Sequence, residues 1–338
     1  MNLEERFNQA RELLLSVERP LFLFDDDPDG LASFILLYKF VKCGKGLAIK
    51  GAQIQASHKK FVENYQPDLI VLLDKALVQE EFFENNHTRI LWIDHHPLQH
   101  PPKNTLYINS LMQGHNKPTS HLCYQITKQD PWIAVVGIVS DWQLPDKDLW
   151  EQTTDILPTE TTDPQSALYN SLAGKLAQIF AFNLKGKTNE ILSSIKMLTR
   201  VTNPQQILNQ ETAQTRLLIK RYEEKKEEYE SLKQKVVVDE QDPLLLFVYQ
   251  DDNNSYTTDL SNELLFKFPD KCIIIARTRN EQYVCSLRYA KANLEKILQE
   301  ILLQTGGSGG GHENACGAQI PQEQWETFLK KLREKISQ

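Results

Sequence analysis

The chain has 338 residues, of which 41% are hydrophobic, and a formal net charge of -7 at pH 7. This length favours two domains, each large enough to bury a core of its own. The negative charge excludes a general attraction for nucleic acid, so a polyanionic substrate would need local positive charge or bound metal.

Short apolar runs organise the N-terminal half, after an amphipathic helix predicted over residues 3–17. The runs lie at residues 21–24, 69–73, 90–93 and 133–139, and the aspartates that follow them are Asp25, Asp74, Asp94 and Asp141. A turn and an apolar helix over residues 31–41 follow the first run, which indicates a doubly wound unit. We predict an α/β domain with a mainly parallel sheet whose strands bring acids to one crevice.

The C-terminal half predicts a helical connector and a second, smaller α/β domain. Residues 160–210 have a helical pattern, and the charged segment between Thr212 and Lys235 carries one apolar stripe. That segment is typical of a solvated connecting helix, and a partner-binding helix is the alternative. Strand-like runs follow at residues 244–249 and 272–277, before a glycine-rich segment over residues 305–317.

Cysteine usage and hydropathy point to a cytoplasmic location. The five cysteines are scattered and lack paired spacing, which argues against a disulfide framework or a thiolate zinc site. Residues 1–20 lack the basic-then-apolar order of a signal peptide, and no apolar run approaches the ~20 residues of a membrane span. We expect no membrane insertion.

The first acidic motif runs from Asp25 to Gly30, with acids at alternate positions that can converge from a turn. Gly30 permits a tight entry into the following helix. A calcium loop of the EF-hand type would need a bidentate acid where Leu36 stands, so that alternative is weak. Simple helix capping by Asp29, or by Asp74 at the second strand end, remains open for each motif taken alone.

Asp94, His95 and His96 form a second kind of motif directly after an apolar run. Adjacent histidines after a strand point in different directions, so one can bind a metal while the other faces a substrate. The combined candidate ligands are Asp27, Asp29, Asp74, His95 and Asp141. Such a set, mainly oxygen with one imidazole, suits Mn²⁺ and then Mg²⁺, and several carboxylates imply two ions suited to displacement at phosphorus.

The second domain offers candidate phosphate-binding groups. Gly309, Gly310 and Gly311 precede His312, and their backbone N–H groups can approach an anion, although a flexible loop is the alternative. Arg288 ends a predicted strand, where its guanidinium can make forked contacts with phosphate.

Together these motifs resemble the DHH phosphoesterase superfamily, in the DHHA1-containing branch of RecJ-like exonucleases and nanoRNases. The motifs that carry the resemblance are Asp25 to Gly30, Asp74, Asp94-His95-His96, Gly137 to Asp141, Ser286-Leu287-Arg288, and Gly310-Gly311-His312 with Ala315 and Gly317. The resemblance implies a DHH catalytic domain over residues 1–185, a helical linker over 186–238 and a DHHA1 substrate-binding domain over 239–338.

The resemblance also implies a role for each candidate residue. One ion would be held by Asp27 and Asp74, and the other by Asp29, Asp74, His95 and Asp141. The catalytic group would comprise His96 on the scissile phosphate, Asp94 in support, and Asp25 either as a direct ligand or as a supporting group. NanoRNases often have a histidine where this chain has Leu23, so the first motif has the RecJ-like form. Arg288, Gly309, Gly310, Gly311 and His312 would bind the terminal nucleotide.

The expected function is a Mn²⁺-dependent phosphodiesterase that hydrolyses single-stranded DNA or RNA, or short oligonucleotides, from an end to mononucleotides. The alternatives are hydrolysis of a cyclic dinucleotide or a nucleotide bisphosphate, and a RecJ-like replication factor associated with GINS. A homodimer and a replication-complex partner stay open.

Overall fold

The computed structural model describes residues 2–51, 53–250 and 254–337. Contacts between residues divide the chain into two compact units, residues 1–223 and residues 224–338. The division falls inside the helical linker that the sequence predicts over residues 186–238.

Unit one, residues 1–223, contains the parallel sheet. Its strands are Pro20–Asp25 (β1), Lys45–Ile49 (β2), Gln53–Ile54 (β3), Leu69–Leu73 (β4), Leu77–Val78 (β5), Arg89–Asp94 (β6) and Thr105–Asn109 (β7). Its helices are Leu3–Leu15 (α1), Pro28–Val41 (α2), Lys59–Tyr65 (α3), Glu80–Phe83 (α4), Thr119–Thr127 (α5), Pro131–Ser140 (α6), Lys147–Glu151 (α7), Pro164–Asn170 (α8), Leu172–Asn183 (α9), Thr188–Leu198 (α10) and Pro204–Leu208 (α11), and Ala213–Lys233 (α12) crosses into the second unit.

The main sheet has the strand order β2-β1-β4-β6-β7, and every neighbouring pair is parallel. The predicted α/β class with a doubly wound parallel sheet is therefore confirmed. Phe24 pairs with Leu73, and Leu73 pairs with Ile93, so β1, β4 and β6 end at one level. This register places the acids that follow the three strands at one edge.

Successive side chains of β1 pack against different layers, because strand residues alternate between faces. Phe24 stacks on Phe34 of α2, with ring centroids 4.7 Å apart. Leu21 and Leu23 belong instead to a cluster with Phe82 of α4. Helices thus cover both faces, and both alternating sets of β1 side chains are buried.

The fourth apolar run of the sequence is helical. Residues 132–139 of α6 are all buried, and α6 packs against α2, α5 and α9. A run that is apolar on every side has no period, so it does not distinguish a buried helix from a buried strand.

Unit two, residues 224–338, contains a mixed sheet. Its strands are Leu244–Tyr249 (β8), Cys272–Arg279 (β9), Gln282–Arg288 (β10), Ser308–His312 (β11) and Ala315–Pro321 (β12), and its further helices are Thr257–Lys267 (α13), Leu294–Thr305 (α14) and Trp325–Ile336 (α15). The strand order is β11-β12-β10-β9-β8, with β8 parallel to β9 and the other neighbours antiparallel. Helix α13 packs on β9 and β10, while α14 and α15 pack together and on β12. The sheet therefore has a buried core shared with these helices.

A buried carboxylate ties α13 to the end of α12. Glu263 accepts hydrogen bonds from Tyr229 Oη at 2.5 Å and from Lys233 Nζ at 3.1 Å, and Lys267 Nζ lies 2.7 Å away. Burial alone would raise the pKa of Glu263, but these three groups hold it below its ordinary value. The carboxylate is thus stabilised in its ionised form.

The five cysteines are free thiols. Within the described ranges, no helix combines the length and the apolar character that a membrane crossing requires.

Candidate metal centre

The turn after β1 is shaped by the cap of α2. Asp27 is the N-cap residue, and its Oδ1 accepts the N–H of Gly30 at 2.8 Å. Pro28 occupies the first helical turn, where the missing N–H costs no hydrogen bond. The capping role that the sequence left open for Asp29 thus belongs to Asp27.

Asp29 is held by the start of another helix. Its Oδ2 accepts the N–H of Thr119 at 2.8 Å and its Oδ1 accepts the N–H of Ser120 at 3.0 Å, at the N-terminus of α5. A helix N-terminus stabilises a carboxylate through its unpaired N–H groups and its dipole. Gly137 of α6 makes room for this contact, since a Cβ there would lie 2.8 Å from Asp29 Oδ1 and 2.4 Å from Ser120 Oγ.

Asp74 follows β4 and lies at the centre of the cluster. Its backbone is left-handed, with φ 56°, and its N–H donates to the carbonyl of Ile93 at 3.0 Å. Thr119 Oγ1 donates to Asp74 Oδ1 at 3.1 Å. A left-handed conformation is uncommon for a residue other than glycine, and it is found at functional sites where surrounding contacts hold it.

His95 is oriented by an amide from the segment before α5. The Nδ1–H of His95 donates to Asn116 Oδ1 at 3.1 Å, in the tautomer that this acceptor requires. Nε2 then faces Asp74 Oδ1 at 3.4 Å and Asp141 Oδ2 at 3.6 Å. Such a partner on the far ring nitrogen fixes the ring of a metal-binding histidine.

His96 is half-buried, and its ring lies beside that of His95, with the centroids 4.4 Å apart. Its Nδ1–H donates to Asp94 Oδ1 at 2.8 Å, and its backbone N–H lies 3.2 Å from Asp94 Oδ2. Asp94 is fully buried at the end of β6. The two histidines therefore have separate partners, Asn116 for one and Asp94 for the other.

The carboxylates of the cluster repel one another. Burial, with the charge of Asp74, raises the pKa of Asp29 to about 8 and holds that of Asp27 well above its usual range. Burial also raises the pKa of Asp25 to about 7 and that of Asp141 to about 6. The protein's own positive groups and hydrogen-bond donors therefore compensate the negative charges of these carboxylates only in part.

Asp74 and His95 show the opposite shifts. Burial alone would raise the pKa of Asp74, but the hydrogen bond and charge of His95 lower it to about 2. Burial likewise would lower the pKa of His95, but the contacts with Asp74 and Asp141 raise it to about 11. Positive charge at this point is therefore strongly favoured.

The donor set fits divalent cations. Ligand atoms of Asp25, Asp27 and Asp74 lie within 4.8 Å of one another, and those of Asp74, His95 and His96 do likewise. Asp74 belongs to both groups, the position that the resemblance implies for a shared ligand. Carboxylate oxygens with one or two imidazoles match the preferences of Mn²⁺ and Mg²⁺. A bound cation would also relieve the repulsion that raises the carboxyl pKa values.

Asp25 is engaged by a buried lysine that the sequence reasoning missed. Lys75 Nζ donates to Asp25 Oδ1 at 2.7 Å, so one oxygen of Asp25 already has a cationic partner.

The predicted substrate-binding residues lie together in unit two. Arg288 and His312 both pair with Ala315, from opposite sides of β12. Gly309, Gly310 and Gly311 are part of β11, so the glycine-rich segment is half of a hairpin. Arg288 Nε donates to Asn262 Oδ1 at 2.6 Å, which orients the guanidinium at the strand end.

Comparison with known proteins identifies the domain family of the C-terminal residues. Residues 241–338 match the family model of the DHHA1 domain. These residues therefore form a DHHA1 domain. In unit one, the acids and the Asp94-His95-His96 triplet meet at the edge of a parallel sheet. No curated protein matches the chain in sequence.

Solved structures share the fold of the chain. RecJ from Thermus thermophilus in complex with Mn²⁺ superposes with a TM-score of 0.71 at 13% identity, over 99% of this chain and 54% of that one. An exonuclease RecJ bound to manganese gives a TM-score of 0.60 at 15% identity, over 100% and 95%. PggH from Vibrio cholerae, a pGpG-specific phosphodiesterase, gives 0.51 at 16% identity, over 95% and 99%. The chain thus spans about half the length of the Thermus RecJ.

Three residues that contact the cluster of acids and histidines were not predicted from the sequence. Asn116 and Thr119 come from the segment that enters α5, which carries no recognisable motif. Lys75 has a signal, because it is a lysine directly after an apolar strand and an aspartate. A buried cation is expected where acids converge.

Proposed function

We propose that this chain is a DHH-type, Mn²⁺-dependent phosphodiesterase that releases mononucleotides from an end of single-stranded nucleic acid, with short oligonucleotides as preferred substrates. The observation that carries the proposal is the position of Asp74 between two groups of ligand atoms. Two divalent ions held by Asp27, Asp29, Asp74, His95 and Asp141 would activate water and neutralise phosphoryl oxygens.

The protein's own groups would orient the phosphate. His96 is held by Asp94 through Nδ1 and has 22% of its side chain exposed, so its ring can contact a phosphate oxygen. Asp94 is completely buried, and it sets the direction of that ring rather than touching the substrate. We therefore assign His96 to the substrate and Asp94 to positioning.

Short linear substrates are favoured by two observations. PggH, which shares the fold over nearly its whole length, is described as specific for pGpG, a linear dinucleotide. In unit two, Arg288 and His312 flank one residue of β12, a compact arrangement suited to one terminal nucleotide or its phosphate. Mn²⁺ is the proposed ion, with Mg²⁺ as the second choice, because two RecJ structures are described with manganese and one with Mg²⁺, and the donor set suits manganese.

The test is product analysis with purified protein. We expect mononucleotide from labelled RNAs of two to five nucleotides and from pGpG in the presence of Mn²⁺, and none in EDTA. A longer single-stranded DNA and cyclic di-AMP complete the panel. Faster turnover of cyclic di-AMP than of any linear substrate would replace the proposal with cyclic dinucleotide hydrolysis.

A matched pair of variants ties the activity to the site. Asp27→Asn keeps the helix cap, since asparagine caps as well as aspartate, but removes a charged ligand. We expect it to lower turnover by about a hundredfold or more. Asp26→Asn removes the neighbouring charge outside the two ligand groups and should leave turnover near wild type. Equal turnover of both variants, or no mononucleotide from any substrate, would refute the proposal.

A further inference from the structure

Lys75 is a charged side chain with no exposed surface. It directly follows Asp74, and its Nζ donates to Asp25 Oδ1 at 2.7 Å, to the carbonyl of Ile49 at 2.6 Å and to the carbonyl of Gly51 at 2.5 Å. Three acceptors use all three hydrogens of an ammonium group, whereas a neutral amine has only two. All three donors of the Lys75 ammonium group are therefore used inside the protein.

Contacts of the Lys75 backbone and of its Nζ together fix the position of the ammonium group. The carbonyl of Lys75 accepts the indole N–H of Trp92 at 3.2 Å, which holds the backbone beside β6. The two carbonyl acceptors of Nζ lie at the end of β2 and just beyond it. Because its hydrogens are already used, Lys75 is not available to donate to a phosphate.

The same ammonium changes what Asp25 can offer. Asp25 Oδ1 accepts from Lys75 Nζ and also from the N–H of Asp26 at 2.8 Å. That oxygen is already occupied by two donors, one of them cationic. The group formed by Asp25, Asp27 and Asp74 therefore has a built-in positive charge, whereas the described contacts of His95 include no lysine.

We propose that Lys75 is a positioning residue that withdraws Asp25 from direct metal ligation and makes the two metal sites unequal, with the site at Asp27 the weaker one. This inference rests on the proposed metal-dependent function. A fixed ammonium beside a carboxylate group disfavours a divalent cation there, by about tenfold or more in affinity for charges a few ångströms apart in a partly buried site. The enzyme would then be loaded in order, with the site at Asp74 and His95 filled first.

The test is Mn²⁺ binding alone, measured by equilibrium dialysis and by the electron paramagnetic resonance signal of free Mn²⁺. We expect two classes of site in the wild type, with dissociation constants separated by about tenfold or more. Lys75→Gln removes the charge and should tighten the weaker class by about tenfold. Asp25→Asn/Lys75→Gln removes the ion pair without changing the net charge, and both constants should stay within about threefold of the wild type.

Asp27→Asn is the control for the loss of a real ligand, and circular dichroism checks the fold of every variant. If the Asp25 and Lys75 double variant loses Mn²⁺ as severely as Asp27→Asn, Asp25 is a direct ligand and the inference fails. Two Mn²⁺ sites with the same dissociation constant in the wild type would also overturn the inference, whether or not the Lys75 variants fold. If the wild type binds no Mn²⁺, the proposed function fails as well. If the enzyme is active and its two Mn²⁺ sites have equal affinity, only the proposed role of Lys75 fails.

Discussion

Gly137→Ala tests whether the packing of two helices sets the position of Asp29. An added Cβ would lie 2.4 Å from Ser120 Oγ and 2.8 Å from Asp29 Oδ1, short of ordinary contact at 3.4 Å by about 1.0 Å and about 0.6 Å. Ser120 and Asp29 are both buried, so α5 or the carboxylate must shift. Overpacking costs about 1–3 kcal/mol, and alanine regains up to about 1 kcal/mol in helix propensity. The net loss of stability should be about 0–3 kcal/mol.

The larger effect should fall on the site. Asp29 is a proposed metal ligand, and a ligand displaced by a sizeable fraction of an ångström loses catalytic geometry. We therefore expect turnover and Mn²⁺ affinity to fall by about 10–100-fold. Urea unfolding, equilibrium dialysis with Mn²⁺ and mononucleotide release measure the three quantities. Ile138→Val is the control, because it removes a buried methyl from the same helix at a cost of about 0.5–1.5 kcal/mol. Wild-type Mn²⁺ affinity in Gly137→Ala would refute the reasoning.

Three further predictions concern other contacts. Asn116→Ala removes the acceptor that orients His95, so the Mn²⁺ affinity measured by dialysis should fall about 10–100-fold. Asn116→Asp keeps an acceptor oxygen and should restore the affinity. Unchanged affinity in the alanine variant would contradict this role. Glu263 has a lowered pKa, so its contribution to stability is complete above its ordinary value of 4.5 and is lost as pH falls through the lower folded value. The urea midpoints of Glu263→Gln and wild type should therefore differ at pH 7 and converge towards pH 3, and a constant gap would contradict the assignment. Gly311→Ala places a Cβ at a residue with φ 154° and only 2.3 Å from a backbone carbonyl oxygen. In the control Gly310→Ala, the added Cβ meets only one atom, at 3.8 Å. We expect a lower melting temperature by circular dichroism for Gly311→Ala than for Gly310→Ala, and equal melting temperatures would contradict this prediction.

The sequence predicted the acids at the strand ends because two simple patterns combine there. An apolar run without polar interruption indicates a buried parallel strand, and parallel strands that share a sheet present their carboxyl ends together. Asp25, Asp74 and Asp94 follow such runs and do reach one edge. The charged helix before the second domain was also predicted, since Leu218, Tyr222 and Tyr229 recur at helical spacing, and all three are buried.

Other features depend on packing that no local pattern contains. Strand β2 is mostly half-buried and contains a glycine, so it lacks the apolar run that marks its neighbours. Strand β11 consists largely of glycine and is a strand because β12 supplies its hydrogen bonds. Asn116 and Thr119 reach the centre because α5 packs on α2, a tertiary contact between residues some 90 positions apart. Sequence spacing alone does not reveal such contacts.

The left-handed backbone of Asp74 limits how this position can be explored. Aspartate, asparagine and glycine accept that conformation readily, while alanine does so only at a cost in strain. Asp74→Ala would therefore strain the main chain and remove the carboxylate at the same time, so the loss of activity would exceed the contribution of the carboxylate alone. Asp74→Asn removes the charge and keeps a residue that tolerates the left-handed backbone. Few residue types satisfy both the conformation and the charge at this position.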